Sequence, residues 1–192
     1  MLVSGWCSIT MLCLYQPFMK IWAGDKNMFS FDIVVLFSIY FYVKQMGNVR
    51  AIYSDAAGLF WENRYRTVAE ALANVILNYA LVNIWGVRGI IIATILTLLL
   101  IGYVASAEVI FRCFFKTGLR NYFMNHLKYM TVTLVVAIIT YLICDMFHGN
   151  IWVVFGFRII VCTVVPTVIY WIVYHRSGMF KDLCLWVKKE FF

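Results

Sequence analysis

Six stretches of roughly 20 mostly apolar residues, separated by short polar segments, set the rhythm of this chain. A helix rising about 1.5 Å per residue needs about that length to cross a hydrocarbon layer of about 30 Å. The pattern predicts membrane-spanning helices over Leu2–Trp22, 29–48, 67–85, 89–112, 128–147 and Ile151–Tyr174. Membrane strands would alternate apolar and polar residues over about 10 positions. The unbroken apolar run at 89–102 does not alternate, so the expectation is an all-α polytopic membrane protein. Connections at 24–27, 86–88 and 148–150 are tight enough to make their flanking helices antiparallel pairs. Pro17 and Pro166 fall inside predicted helices, where each removes a backbone donor and should bend the helix.

The longer connections carry a second periodicity. Val49, Ile52, Tyr53, Ala56 and Phe60 recur at helical spacing. So do Phe115, Leu119, Tyr122, Phe123 and His126, and then Met179, Leu183, Trp186 and Val187. Basic residues flank each set, so these segments read as short amphipathic helices lying among lipid headgroups. The same connections hold Lys44, Arg50, Arg64 and Arg66, then Arg112, Lys116, Arg120 and Lys128, then Arg176, Lys181, Lys188 and Lys189. The opposite side has only Lys20, Lys26 and Arg88, with Arg158 inside the last span. The positive-inside rule then places both termini in the cytoplasm, in agreement with an even number of spans.

Composition agrees with the pattern. Hydrophobic residues make up 64% of the 192 and charged residues only 13%, too few charges for a water-soluble surface. The chain reads as a single transmembrane domain over 1–192, without low-complexity tracts or a soluble module. The net charge of +7 sits in short segments between apolar runs, so it marks membrane orientation and sets nucleic-acid binding aside. The first apolar segment lacks a basic leader and reads as a span, with no cleavable signal peptide. Cys7, Cys13, Cys113, Cys144, Cys162 and Cys184 show no CxxC and no paired spacing, and are read as membrane thiols with little sign of a metal or disulfide role. The three histidines lie far apart without metal-ligand spacing. No nucleophile–base set, paired-carboxylate motif or phosphate loop appears, so neither an enzyme nor a cofactor is expected.

Candidate chemistry concentrates between residues 50 and 78. Thr67, Glu70, Asn74 and Asn78 are spaced three, four and four apart, which draws one polar stripe along the third helix. Lipid cannot satisfy such a stripe. It is either the wall of a hydrated cavity or a seam of interhelical hydrogen bonds. Just before it, Arg50, Arg64 and Arg66 are placed to meet a phosphate-bearing lipid head or to anchor the inner face. Arg158 lies about 10 Å into its helix, where it either snorkels outward or lines a cavity. Glu108 near Arg112 reads as an i, i+4 pair, and Asp32 behind Ser30 as helix-start chemistry.

The run Asp55-Ala-Ala-Gly58-Leu-Phe-Trp61-Glu62-Asn63-Arg64-Tyr65-Arg66, followed by Glu70, Asn74, Asn78, Leu81-Val82, Gly86-x-x-Gly89 and Ala93-Thr94, resembles bacterial polysaccharide biosynthesis membrane proteins. Gln16-Pro17-Phe18 with Trp22-Ala23-Gly24 looks similar too. These are flippases for lipid-linked capsule and O-antigen repeat units, in the superfamily that includes multidrug and toxin extrusion transporters. The resemblance covers nearly the whole chain and is most specific over 53–94. It implies a substrate of undecaprenyl-pyrophosphate-linked oligosaccharide in the bacterial cytoplasmic membrane. It also implies a departure, since such proteins have 12 to 14 spans in two halves. Six spans correspond to a C-terminal portion, whose partner would be a missing N-terminal helix bundle besides the membrane lipids. On that footing the substrate path would draw on Arg50, Arg64, Arg66, Glu70, Asn74, Asn78 and Arg158. The alternatives are a multidrug cation antiporter, which needs Glu70 or Glu108 as an embedded carboxylate, and a non-transporting membrane assembly partner.

Overall fold

The computed structural model describes residues 2–115 and 118–175. Regular structure among them is helical throughout: α1 Leu2–Trp22, α2 Phe31–Ala56, α3 Phe60–Trp85, α4 Val87–Phe115, α5 Arg120–Asp145 and α6 Ile151–Tyr174. A single 3₁₀ turn, Asp25–Asn27, lies between α1 and α2. Successive helices run antiparallel. The Asp32–Arg88 ion pair and the Phe18–Phe155 ring contact gather the α1–α2, α3–α4 and α5–α6 turns at one end. At the other end Tyr129 stacks on Tyr174.

Five of the six helices are long and apolar enough to cross a membrane: α1, α3, α4, α5 and α6. This is the fold of an all-α polytopic membrane protein. α2 has the length but not the uniform hydrophobicity. Its apolar stretch, 33–43, is about half of what a span needs, and Lys44, Gln45, Asn48 and Arg50 follow within the same helix.

The segments expected to lie apart as interfacial helices are continuous with their neighbours. α2 does not stop at 48 but runs on through Arg50 and Tyr53 to Ala56. α3 starts at Phe60 and α5 at Arg120, seven and eight residues earlier than hydropathy suggests. Adding a residue to an existing helix costs far less than nucleating a new one, so a helix runs until something breaks it. Between α2 and α3 the breaker is Gly58, at φ 71°. No Gly or Pro interrupts α5. The third amphipathic set, Met179 to Val187, lies outside the described residues.

The helices pack as two groups. α1, α5 and α6 close around Ile9, Cys13, Val136, Cys144, Val161, Cys162 and Tyr170. α2 packs against both α1 and α4, and the α3–α4 hairpin completes the second group. The Ser8 hydroxyl donates to the Ser38 carbonyl at 2.7 Å and ties α1 to α2. The hairpin depends on Gly86, which turns the chain at φ 58°, and on Gly89, where a Cβ would run into the Leu81 carbonyl of α3.

α1 and α6 continue through their prolines. Pro17 cannot donate to Cys13, nor Pro166 to Cys162, so each leaves the carbonyl four residues back without its helical partner. Both carbonyls are filled from the other helix. Trp6 Nε1 of α1 donates to the Cys162 carbonyl at 2.8 Å. Arg158 Nη1 of α6 donates to the Cys13 carbonyl at 3.1 Å. Two helix interruptions thereby become two reciprocal cross-links. Trp6→Phe should orphan the Cys162 carbonyl and cost about 1–3 kcal/mol, measured by unfolding in mixed micelles. Pro166→Ala restores the missing N–H, so the penalty of Trp6→Phe should shrink in that background. Equal penalties in the two backgrounds would mean that Trp6 contributes packing alone.

Candidate functional site

The site starts from one buried cation. Arg50, on the polar half of α2, is only 7% exposed. A charge so placed must find partners, because burial without them is expensive. α4 supplies three. Arg50 Nη2 donates to the Gly102 carbonyl at 2.5 Å and Nε to Ser106 Oγ at 3.0 Å. The guanidinium carbon lies 4.6 Å from the centre of the Tyr103 ring, within cation–π range. The backbone of α4 is locally π-helical over Leu98–Ala105, the stretch that contains Gly102 and Tyr103. Such widened turns recur at functional sites. Tyr103 is itself held by the rings of Tyr122, Phe123 and His126 at the start of α5. Arg50 Nη1 has no protein partner.

A chain of polar contacts links this arginine's surroundings to α3. Ser54, one turn beyond Arg50, accepts from Asn63 Nδ2 at 2.7 Å. Asn63 Oδ1 accepts from Arg66 Nε at 3.1 Å, and Arg66 Nη1 pairs with Glu70 Oε2 at 2.7 Å. Glu70 sits beside Gly102, where a Cβ would come within 3.1 Å of Oε1. Arg50, Arg66 and Glu70 thus border one cavity of about 190 Å³, together with Lys44, Gly47, Asn48, Gly102 and Ser106. Three cationic side chains face a single carboxylate, which is already paired. The arrangement offers fixed positive charge, the chemistry that attracts an oxyanion. Its size suits a phosphoryl group and not a sugar chain.

The other candidates lie elsewhere. Asn74 and Asn78 belong to the same stripe but face α4 further along. Asn74 Nδ2 donates to Thr97 Oγ1 at 2.9 Å and Asn78 Nδ2 to Asn74 Oδ1 at 2.8 Å. This part of the stripe is an interhelical seam. Arg64 turns away from the cavity and stacks over Trp61 at 3.6 Å and Tyr65 at 4.4 Å. Arg158 belongs to the other helix group, on the carbonyl that Pro17 frees. Glu108 is exposed on α4.

Compared with protein-family models, curated proteins and solved structures, the chain matches none.

Sequence reasoning missed Gly102, Tyr103, Ser106 and Thr97. All four lie within an apolar run that reads as plain span. One signal was available, since Gly102 and Ser106 are small residues four apart, the spacing at which helices approach closely. The π-helical turn leaves no mark in the sequence. A double-mutant cycle of Asn74→Ala and Thr97→Ala should show a coupling of about 0.6 kcal/mol, typical of hydrogen bonds between membrane helices. Zero coupling by unfolding in micelles would remove the seam.

Proposed function

We propose that this chain is the C-terminal helix bundle of a transporter that moves an undecaprenyl-pyrophosphate-linked oligosaccharide across a bacterial cytoplasmic membrane. The observation that carries the reading is Arg50: a buried guanidinium with one unpartnered nitrogen, bordering a cavity in which cations outnumber carboxylates. A pyrophosphate lipid is anionic and would answer that excess. The resemblance of 53–94 to polysaccharide flippases gives the same substrate class. The sugar chain needs more room than this cavity has, which calls for a second helix bundle and alternating access between the two. The Arg66–Glu70 pair weighs against the cation-antiporter alternative, because a carboxylate held by an arginine at 2.7 Å is a poor cation receptor. The exposure of Glu108 weighs against its second candidate.

The test is complementation. In the complete transporter, expressed in a strain without its own flippase, Arg50→Gln should abolish surface polysaccharide while membrane abundance stays at the wild-type level. Arg50→Lys should rescue only in part, since an ammonium lacks the guanidinium fork. Normal export by Arg50→Gln would overturn the reading.

We place both termini in the cytoplasm, on the distribution of Lys and Arg, with α2 crossing as the sixth span in antiparallel order with its neighbours. In a cysteine-free background, Asp25→Cys should react with an impermeant maleimide from outside the cell, and Arg120→Cys only after permeabilisation. The reverse pattern would invert the topology.

A further inference from the structure

We propose that Cys13, Cys144 and Cys162 form a three-sulfur site for a soft, thiophilic cation of the Cu(I) class, in the core between α1, α5 and α6. The three residues come from three helices and are separated by 131 and 18 positions in sequence, yet their Sγ atoms all lie within 4.8 Å of one another. Each residue is 1% exposed. Three sulfurs around one ion about 2.3 Å from each would stand about 4 Å apart, within the spread of the observed cluster.

The setting favours a bound ion over chance packing. Small apolar residues would fill a helix crossing as well as three thiols do. The backbone at two of the three cysteines is pinned, since Pro17 and Pro166 free the Cys13 and Cys162 carbonyls and cross-links from Arg158 and Trp6 take them up. Arg158 lies one turn from Cys162 on α6, and its buried Nε has no protein partner. A guanidinium here is costly beside three neutral thiols and well placed beside thiolates. Cu(I) with two thiolates, one thiol and Arg158 sums to zero charge, which a low-dielectric core tolerates. Coordination number selects among soft ions. Structural zinc takes four ligands, and among the described residues this cluster offers three sulfurs. Soft thiolates suit Cu(I), which is content with three. On binding, two of the three thiols release their protons, the third sulfur ligates as the thiol, three Cu–S bonds form, and no electron is transferred.

The full chain, purified in detergent under anaerobic reducing conditions, should be titrated with Cu(I) against a chromophoric Cu(I) chelator. The expected result is one ion per chain, with X-ray absorption showing three sulfurs at about 2.3 Å. Cys13→Ala, Cys144→Ala and Cys162→Ala should each weaken binding about tenfold or more. Cys7→Ala and Cys113→Ala should leave it unchanged. Alanine keeps the crossing small, and circular dichroism with gel filtration should show each variant helical and monodisperse. Wild-type X-ray absorption stands without any variant. No competition with the chelator, undiminished binding by the triple Ala variant, or a sulfur count below two would overturn the proposal. So would a stable disulfide between any two of the three in protein isolated anaerobically.

Discussion

Inside a bilayer, every backbone and side-chain polar group must be satisfied by the protein itself, because lipid offers no hydrogen bonds. Most of this fold's architecture follows from where that demand is met. Pro17 and Pro166 each break the hydrogen-bond ladder at one carbonyl. Trp6 and Arg158 repair the breaks from the opposite helix and so lock α1 to α6. Ser8 and Ser38 join α1 to α2 in the same way, and the Asn74–Thr97 contact joins α3 to α4. In water these groups would be indifferent to one another. In hydrocarbon they choose partners.

The two helix groups spend their polar residues differently. Around α1, α5 and α6 the interior is mostly apolar, with three cysteines and Thr140 buried in it, and Trp6 and Arg158 repair the backbone. Around α2, α3 and α4 the interior is a network of charged and amide side chains with a cavity in it. Arg50 sits at the hub, held by a hydroxyl, a carbonyl and a ring that all come from one stretch of α4. Three contacts from α4 hold the charge, and its Nη1 alone is left without a protein partner.

How much of this could be read from the chain depends on the range of the interaction. Helical class, antiparallel order and the polar stripe on α3 come from periods of three to four residues and from apolar runs of about 20, so they were legible. Tight turns were legible as well, since Gly86 needs its positive φ whatever surrounds it. Helix ends were not. Hydropathy marks where lipid should begin, while helices end where backbone geometry fails, which placed the α2 end at Ala56 and the α5 start at Arg120.

Tertiary structure alone decided which residues meet. Nothing in the spacing of Cys13, Cys144 and Cys162 sets them apart from Cys7 or Cys113, because no local period links α1, α5 and α6. The same holds for the cavity. Of the polar residues read along the chain, Arg50, Arg66 and Glu70 converge, Asn74 and Asn78 serve a seam, and Arg64 and Arg158 stand elsewhere. Sequence determined that these groups must be satisfied within the protein. Packing determined by whom, since a partner across a helix interface depends on crossing geometry and on a local π-helical turn that no residue type announces.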